Sequence, residues 1–98
     1  MTAAELVARW ERIARAPVAL DDDDWLNDVD VRELLHGLDP AELIPYRERL
    51  RLADARFRAA TRAVPECVWG ADNAAAHGWT PHRNWWYWRV PAGSDQAG

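Results

Sequence analysis

The chain contains no lysine, so arginine carries all of its basic charge. Its single cysteine, Cys67, excludes an intramolecular disulfide, and no apolar run approaches the roughly 20 residues that a membrane span needs. No charged, then apolar, then small-residue leader opens the sequence. These absences predict a cytoplasmic protein that folds without disulfides. Arginine without lysine, alongside abundant alanine and aspartate, is typical of a GC-rich bacterial genome.

Tryptophan is the residue that the chain has in excess. Seven Trp, two Tyr and one Phe occur among 98 residues, and each aromatic side chain can bury roughly 150–250 Å². A chain of this length forms one domain around a single core, and its aromatic side chains supply much of the area that such a core needs. We expect a single domain over residues 1–91 and a disordered tail at residues 92–98.

The formal net charge of −4 is unevenly distributed along the chain. Residues 1–44 hold eleven acidic side chains and four arginines, a balance of −7, whereas residues 45–62 hold six arginines and two acidic side chains, a balance of +4. The remaining residues contribute −1. An acidic half therefore precedes a basic segment. The apolar residues of this basic segment are spaced as in a helix.

Residues 2–16 have the apolar periodicity of an amphipathic helix. Thr2 and Glu5 are spaced as a capping box, and Pro17 ends the helix. The inward positions lie three and four residues apart: Leu6, Trp10, Ile13 and Ala14.

A loop and a short second helix are predicted next. Residues 18–27 show no periodicity and are interpreted as the loop. The helix is predicted over residues 28–36, with Gly37 as its C-terminal stop. Its inward residues are expected to be Val31, Leu34 and Leu35.

The third helix has the clearest pattern. Asp39, Pro40 and Glu42 provide an N-cap, a first-turn proline and a capping-box partner. Apolar residues then recur in alternating steps of three and four: Leu43, Tyr46, Leu50, Ala53, Phe57, Ala60 and Val64. Pro45 lies in the first turns, so the helix can begin as a separate turn and restart there. We expect the first helix to pack on this seam within one molecule; a homodimer through the 43–64 helix is the alternative.

The C-terminal part of the chain has a different character. Residues 66–70 are predicted to form a short strand, and residues 71–79 a loop or one or two helical turns. Residues 84–90, NWWYWRV, have the β-favouring composition of a strand. The predicted fold is therefore mainly α, a small single domain of about three helices packed on a short C-terminal β element.

If residues 84–90 are extended, they present two different faces. One face would pack on the helices: Trp86, Trp88 and Val90. The other is more aromatic than a solvated face requires: Trp85, Tyr87 and Arg89. Trp, Tyr and Arg are enriched among interface hot spots because they combine large contact area with a polar group. This second face is therefore either a protein-binding surface or an inner layer covered by another tryptophan such as Trp25, Trp69 or Trp79.

An acidic run precedes Trp25 and consists of Asp21, Asp22, Asp23 and Asp24. A calcium loop needs alternating ligands and a turn-forming glycine, which this run lacks. Two interpretations stay open. The run is a solvated loop in which Asp24 or Asn27 caps the next helix, or it is an acidic patch that steers a basic partner. Trp25 favours the second interpretation.

Cys67, His77 and His82 are zinc-competent residue types, and Asp72 would complete a set. Their spacings of ten and five match no paired zinc motif. A thiol nucleophile with a histidine base is a second possibility, but a small buried cysteine is the ordinary interpretation. Because the spacings do not fit a zinc site, we predict no metal. The sequence also has no glycine-rich phosphate loop and no paired carboxylates in a cleft-forming context, so we predict no cofactor and favour a protein without catalytic activity.

Nucleic-acid binding is not expected. Six arginines gather on the third helix but are distributed around its circumference: Arg47, Arg49, Arg51, Arg56, Arg58 and Arg62. The chain as a whole is acidic, with an isoelectric point near 5.2, whereas domains that bind nucleic acid are usually basic.

In its small size, acidic half, aromatic-rich C-terminal end and lack of a catalytic constellation, the chain resembles bacterial immunity and antitoxin proteins as a class. We therefore predict a non-enzymatic protein-binding module that uses the aromatic face and the acidic loop. The alternative is a small-ligand or metal-binding protein, or an enzyme, with a Trp-lined pocket near His77 and His82.

Overall fold

The fold was analysed in a computed structural model that describes residues 1–17 and 22–92. In chain order it contains α1 (Ala3–Arg15), α2 (Asp22–His36), α3 (Pro40–Leu43), α4 (Arg47–Ala60), β1 (Thr61–Ala63), α5 (Ala71–His77) and β2 (Arg89–Pro91). The strands form a two-stranded antiparallel sheet, and the prediction of a mainly helical domain with a small C-terminal β element is confirmed. The tail predicted to be disordered lies outside the described residues, apart from Ala92.

Helix α1 forms as its sequence predicts. The Oγ1 atom of Thr2 accepts a hydrogen bond from the backbone N–H of Glu5 at 3.1 Å, which satisfies one of the unpaired donors at the helix start. One stripe of the helix is buried against α2 and α4: Leu6, Val7, Trp10, Ile13 and Ala14.

Helix α2 begins at Asp22, so the prediction of a loop up to residue 27 is wrong. Aspartates in the first turn favour a helix because the positive end of its dipole lies there. The helix is buried on more than one side, so no single apolar stripe marks it in the sequence: Trp25, Val29, Val31 and Leu35 are all buried. Leu34, predicted to face inward, is 56% exposed.

The third predicted helix is interrupted where Pro45 stands. Helix α3 is followed by a 3₁₀ turn over Ile44–Tyr46, and α4 then restarts at Arg47, as the proline predicts. Of the seam, Ala53 and Phe57 are buried, and three residues pack partly buried against the core: Leu43, Tyr46 and Leu50.

Helix α4 ends at Ala60 rather than at Val64. At its end the Thr61 hydroxyl donates to the Phe57 carbonyl at 2.6 Å, and Thr61 adopts an extended conformation. The chain then pairs with the C-terminal segment, Thr61 opposite Pro91 and Ala63 opposite Arg89.

The predicted strand at residues 84–90 is wrong over most of its length. Trp85–Trp88 form a 3₁₀ turn, and only Arg89–Pro91 is a strand. The reason lies at Asn84, which is buried and holds the turn in place. Its side-chain amide donates to Glu33 at 2.8 Å, its side-chain oxygen accepts from the N–H of Thr80, and its backbone carbonyl accepts from the N–H of Tyr87 at 3.0 Å.

The segment before this turn also departs from the strand prediction. Residues 66–70 turn back on themselves, with the N–H of Gly70 bonded to the carbonyl of Cys67 at 2.9 Å. Residues 71–79 include the short helix α5, one of the alternatives that the sequence leaves open.

Aromatic rings gather around Phe57 at the centre of the core. Its ring centroid lies 4.6 Å from that of Trp10, 5.6 Å from that of Trp25 and 5.9 Å from that of Trp85. Phe57 thereby joins α1, α2, α4 and the C-terminal turn. None of the helices in the described part of the chain combines the length and the apolar character that crossing a bilayer requires.

Candidate binding surface

The predicted aromatic face does not exist as a strand face. Tyr87 is almost completely buried, and its hydroxyl donates to Oδ1 of Asp30 at 2.7 Å. Burial, followed by this hydrogen bond, raises the pKa of Tyr87 far above its usual range. Trp69 Nε1 donates to the same Asp30 atom at 3.1 Å. Trp25 is also buried, with Nε1 bonded to the Arg89 carbonyl at 2.9 Å. Of the two alternatives left open for this face, Tyr87 fits the inner layer covered by another tryptophan, since Trp79 stacks on it with centroids 4.1 Å apart.

Arg89 is bonded within the fold. Its guanidinium donates to Oγ1 of Thr61 at 2.7 Å and to the carbonyls of Thr61 and Arg58 at 3.1 Å. Burial and the nearby Arg58 charge lower the pKa of Arg89. Half-buried Trp85 carries the Arg58 guanidinium 3.8 Å from its ring centroid. A partner contact by Trp85 or Arg89 stays a prediction.

The acidic run is not a loop where the structure describes it. Asp22, Asp23 and Asp24 begin α2, and Asp21 lies outside the described residues. Asp24 is exposed. A role in steering a basic partner stays a prediction.

The residues considered for metal or nucleophilic chemistry have other surroundings. Cys67 is buried, and burial raises the pKa of its thiol. The His77 ring stacks on Trp79 with centroids 4.5 Å apart, and Trp79 stacks on Tyr87 at 4.1 Å. Among residues 1–17 and 22–92, no group of three or more His, Cys, Asp or Glu side chains is placed to hold a metal ion. His77, Trp79 and Tyr87 thus form a stack of rings, and the alternative of a Trp-lined pocket near His77 and His82 stays a prediction.

A different surface lies between α1 and α4. The two helices pack side by side, and a groove of about 230 Å³ lies on the solvent-facing side of their contact. Helix α1 contributes Glu11 and Arg15, one turn apart. Helix α4 contributes Arg49, Leu52 and Arg56, whose spacing of three and four residues places them along one stripe of the helix. Ala53 completes the lining beside this stripe.

The charges of the groove converge on Glu11. Its carboxylate accepts two hydrogen bonds from Arg49, from Nη2 at 2.6 Å and from Nε at 3.1 Å. These bonds lower the pKa of Glu11, and the positive charges of Arg49, Arg15 and Arg56 lower it further. The guanidinium of Arg49 also lies 5.8 Å from the ring centroid of Tyr46. Arg49 therefore already has a carboxylate partner within the chain.

Arg15 and Arg56 are exposed, and their charges act on Glu11 without a direct bond to it. Neither forms a hydrogen bond or an ion pair with any residue that the structure describes. Leu52, on the same surface, is 47% exposed. With three arginines and one glutamate the groove carries a formal charge of +2, although the chain as a whole is negative.

Sequence reasoning missed this groove because it is formed by two helices that lie far apart in the chain. Considered along the sequence alone, the arginines of the third predicted helix are distributed around its circumference and indicate no single surface. The signal was nevertheless present, since Arg49, Leu52 and Arg56 repeat the three-and-four spacing on a stripe beside the buried seam. A second stripe of this kind, with an apolar residue between two arginines on a solvent-exposed helix face, is the pattern of a candidate contact surface.

Comparison with protein-family models, with curated proteins and with solved structures finds no match to the chain. Function is therefore inferred from the geometry of this molecule alone.

Proposed function

We propose that this protein is a non-enzymatic protein-binding module and that the groove between α1 and α4 is its contact surface. The observation that carries the proposal is the position of half-exposed Leu52 in a groove with Arg15 and Arg56, two guanidiniums that bond to no described residue. Arginine is enriched at protein interfaces and among their hot spots, where it contributes both charge and contact area. The class of function is the one predicted from the sequence, but the surface is different.

The groove is supported by a rigid scaffold. Beneath α1 and α4, the carboxylate of Asp54 accepts a hydrogen bond from Trp10 Nε1 at 2.8 Å. The same carboxylate accepts two bonds from Arg32 of α2, at 3.0 and 3.1 Å. These bonds tie three helices together. Helices held in this way need not rearrange when a partner binds, so the conformational entropy lost on binding is mainly that of the exposed side chains.

The size of the groove favours a protein partner over a small molecule. Pockets for small ligands usually enclose roughly 300–1,000 Å³ and are mostly apolar. The groove holds about 230 Å³, and four of its six lining residues are charged. A shallow charged groove of this kind suits one or two side chains of a larger partner.

The test compares two charge reversals on the same helix. Immobilised wild-type protein, Arg56→Glu and Arg47→Glu are each exposed to a lysate of the source organism. Arg56 lines the groove, whereas exposed Arg47 does not, so both variants change the total charge equally. We expect a partner that wild type and Arg47→Glu retain and Arg56→Glu loses. A partner held equally by all three proteins would contradict the proposed surface.

A second pair of variants separates the apolar contact from the charge. Leu52→Ser removes the apolar side chain of the groove, and Leu34→Ser removes a comparably exposed leucine from α2. We expect only Leu52→Ser to weaken capture. If Leu34→Ser has the larger effect, the contact surface lies on α2 instead.

A further inference from the structure

We infer that the partner presents an acidic segment to this groove, with an apolar side chain against Leu52 and carboxylates bonded to Arg15 and Arg56. The inference rests on the proposed function and names the chemistry of its partner. Three features of the groove support it: its positive charge, the guanidinium donors of Arg15 and Arg56, and the absence of aromatic rings among the described residues that line it.

Charge complementarity is the first step. The groove is positive at +2 on a protein whose net charge is −4, so a negative partner is attracted there and repelled by much of the remaining surface. Charges arranged in this way orient the two molecules as they approach. An acidic partner is therefore guided toward the basic side of the protein formed by α4, on which this groove lies.

The available donors are the second step. A guanidinium presents a planar fork of N–H groups that matches a carboxylate with two parallel hydrogen bonds. Arg49 already shows this geometry with Glu11, to which it donates two bonds. Arg15 and Arg56 carry the same group but form no hydrogen bond or ion pair with a described residue. Two further carboxylates of a binding segment would complete the arrangement that Glu11 begins.

The lining of the groove favours an acidic protein segment over nucleic acid. Single-stranded nucleic acid binds through exposed aromatic rings on which its bases stack. The lining of the groove contains no aromatic ring and includes exposed Leu52. An apolar side chain flanked by carboxylates matches Leu52, which is flanked by guanidiniums. A sugar-phosphate chain has no apolar side chain to place against Leu52.

The probe is a fluorescein-labelled helical peptide of about 15 residues with one face of leucine flanked by glutamates. Three comparison ligands are used: the same peptide with glutamine for glutamate, the same peptide with serine for leucine, and a single-stranded oligonucleotide of equal charge. Binding to the full chain is measured by fluorescence anisotropy at low and at physiological salt. The proteins are wild type, Arg56→Glu, Leu52→Ser and the control Arg47→Glu.

We expect the acidic leucine peptide to bind wild type and Arg47→Glu alike and to lose about tenfold or more in affinity with Arg56→Glu. Leu52→Ser, the glutamine peptide and the serine peptide should each weaken binding, and added salt should weaken the acidic peptide most. Tighter binding of the oligonucleotide, or equal peptide binding by Arg56→Glu and Arg47→Glu, would overturn the inference. Self-association of wild type in sedimentation that Arg56→Glu abolishes would identify a second copy as the occupant and also overturn it.

The two proposals fail in different ways. If none of the peptides binds but lysate capture still yields a partner that Arg56→Glu loses, the groove binds a partner of other chemistry. The inference is then wrong and the proposed function stands. If capture yields only partners that Arg56→Glu retains, the proposed function itself is wrong.

Discussion

Phe57→Ala is the substitution that most directly tests how this core is built. Phe57 is completely buried in α4, and its ring meets Trp10, Trp25 and Trp85, which belong to three other parts of the fold. Truncating a buried phenylalanine costs about 3–5 kcal/mol, because the transfer free energy of the ring is lost and a cavity is left. We expect the upper part of that range, since large neighbouring rings cannot easily collapse into the space.

That loss is large for a domain of this size. At about 0.05–0.15 kcal/mol per residue, a chain of 98 residues has roughly 5–15 kcal/mol of unfolding free energy. The variant is therefore expected to be only marginally stable. Urea titration followed by tryptophan fluorescence and by far-ultraviolet circular dichroism measures the loss directly.

Two control variants make the measurement specific. Phe57→Leu keeps most of the side-chain volume. It should therefore lower the free energy of unfolding by only about 1.5 kcal/mol or less, clearly less than Phe57→Ala. Leu52→Ala, on the exposed stripe of the same helix, should change stability by about 0.5 kcal/mol or less. A loss below about 1 kcal/mol for Phe57→Ala would refute the description of the seam as core. Repeating the titration at two protein concentrations tests a homodimer, whose midpoint would rise with concentration.

Three further substitutions test individual contacts. Asp54→Ala leaves Trp10 Nε1 and the Arg32 guanidinium without their acceptor, and by urea titration should cost about 2–4 kcal/mol. Arg89→Ala removes the bonds that join β2 to the end of α4 and should cost about 1–3 kcal/mol in the same assay. Burial, followed by the Asp24 charge, raises the pKa of Asp28 above its ordinary 3.8, so the folded state binds this proton more tightly than the unfolded state. Asp28→Asn should therefore raise Tm at pH 7, and the gain should disappear as pH falls from the raised pKa toward 3.8; an equal gain at pH 3 would contradict this.

Local signals in the sequence predict the elements whose burial is one-sided. Helix α1 and helix α4 each bury a single stripe, so their apolar residues keep a helical period, and Thr2 and Asp39 mark the starts of α1 and α3 with side-chain caps that the structure contains. The interruption at Pro45 is local as well, because proline lacks the backbone N–H of a helical hydrogen bond and its ring clashes with the preceding turn.

Elements whose conformation depends on distant contacts could not be predicted in this way. Helix α2 is covered on more than one side, so its apolar residues lose the period that marks an amphipathic helix. The Trp85–Trp88 segment has the composition of a strand, yet it turns because Asn84 is held by Glu33 of α2 and by Thr80. Composition is a weak guide to strands because packing and burial decide the outcome.

The contacts of the tryptophans explain why the most conspicuous residues of the sequence do not form the candidate contact surface. Trp10, Trp25 and Trp69 each bond through Nε1 to a residue in a different part of the chain: Asp54, the Arg89 carbonyl and Asp30. One side chain thus supplies both the buried area and the polar link that a small core needs. These rings pack and bond within the fold, so the candidate contact surface consists mainly of arginines and Leu52. A sequence pattern ordinarily assigns such residues to a solvated helix face.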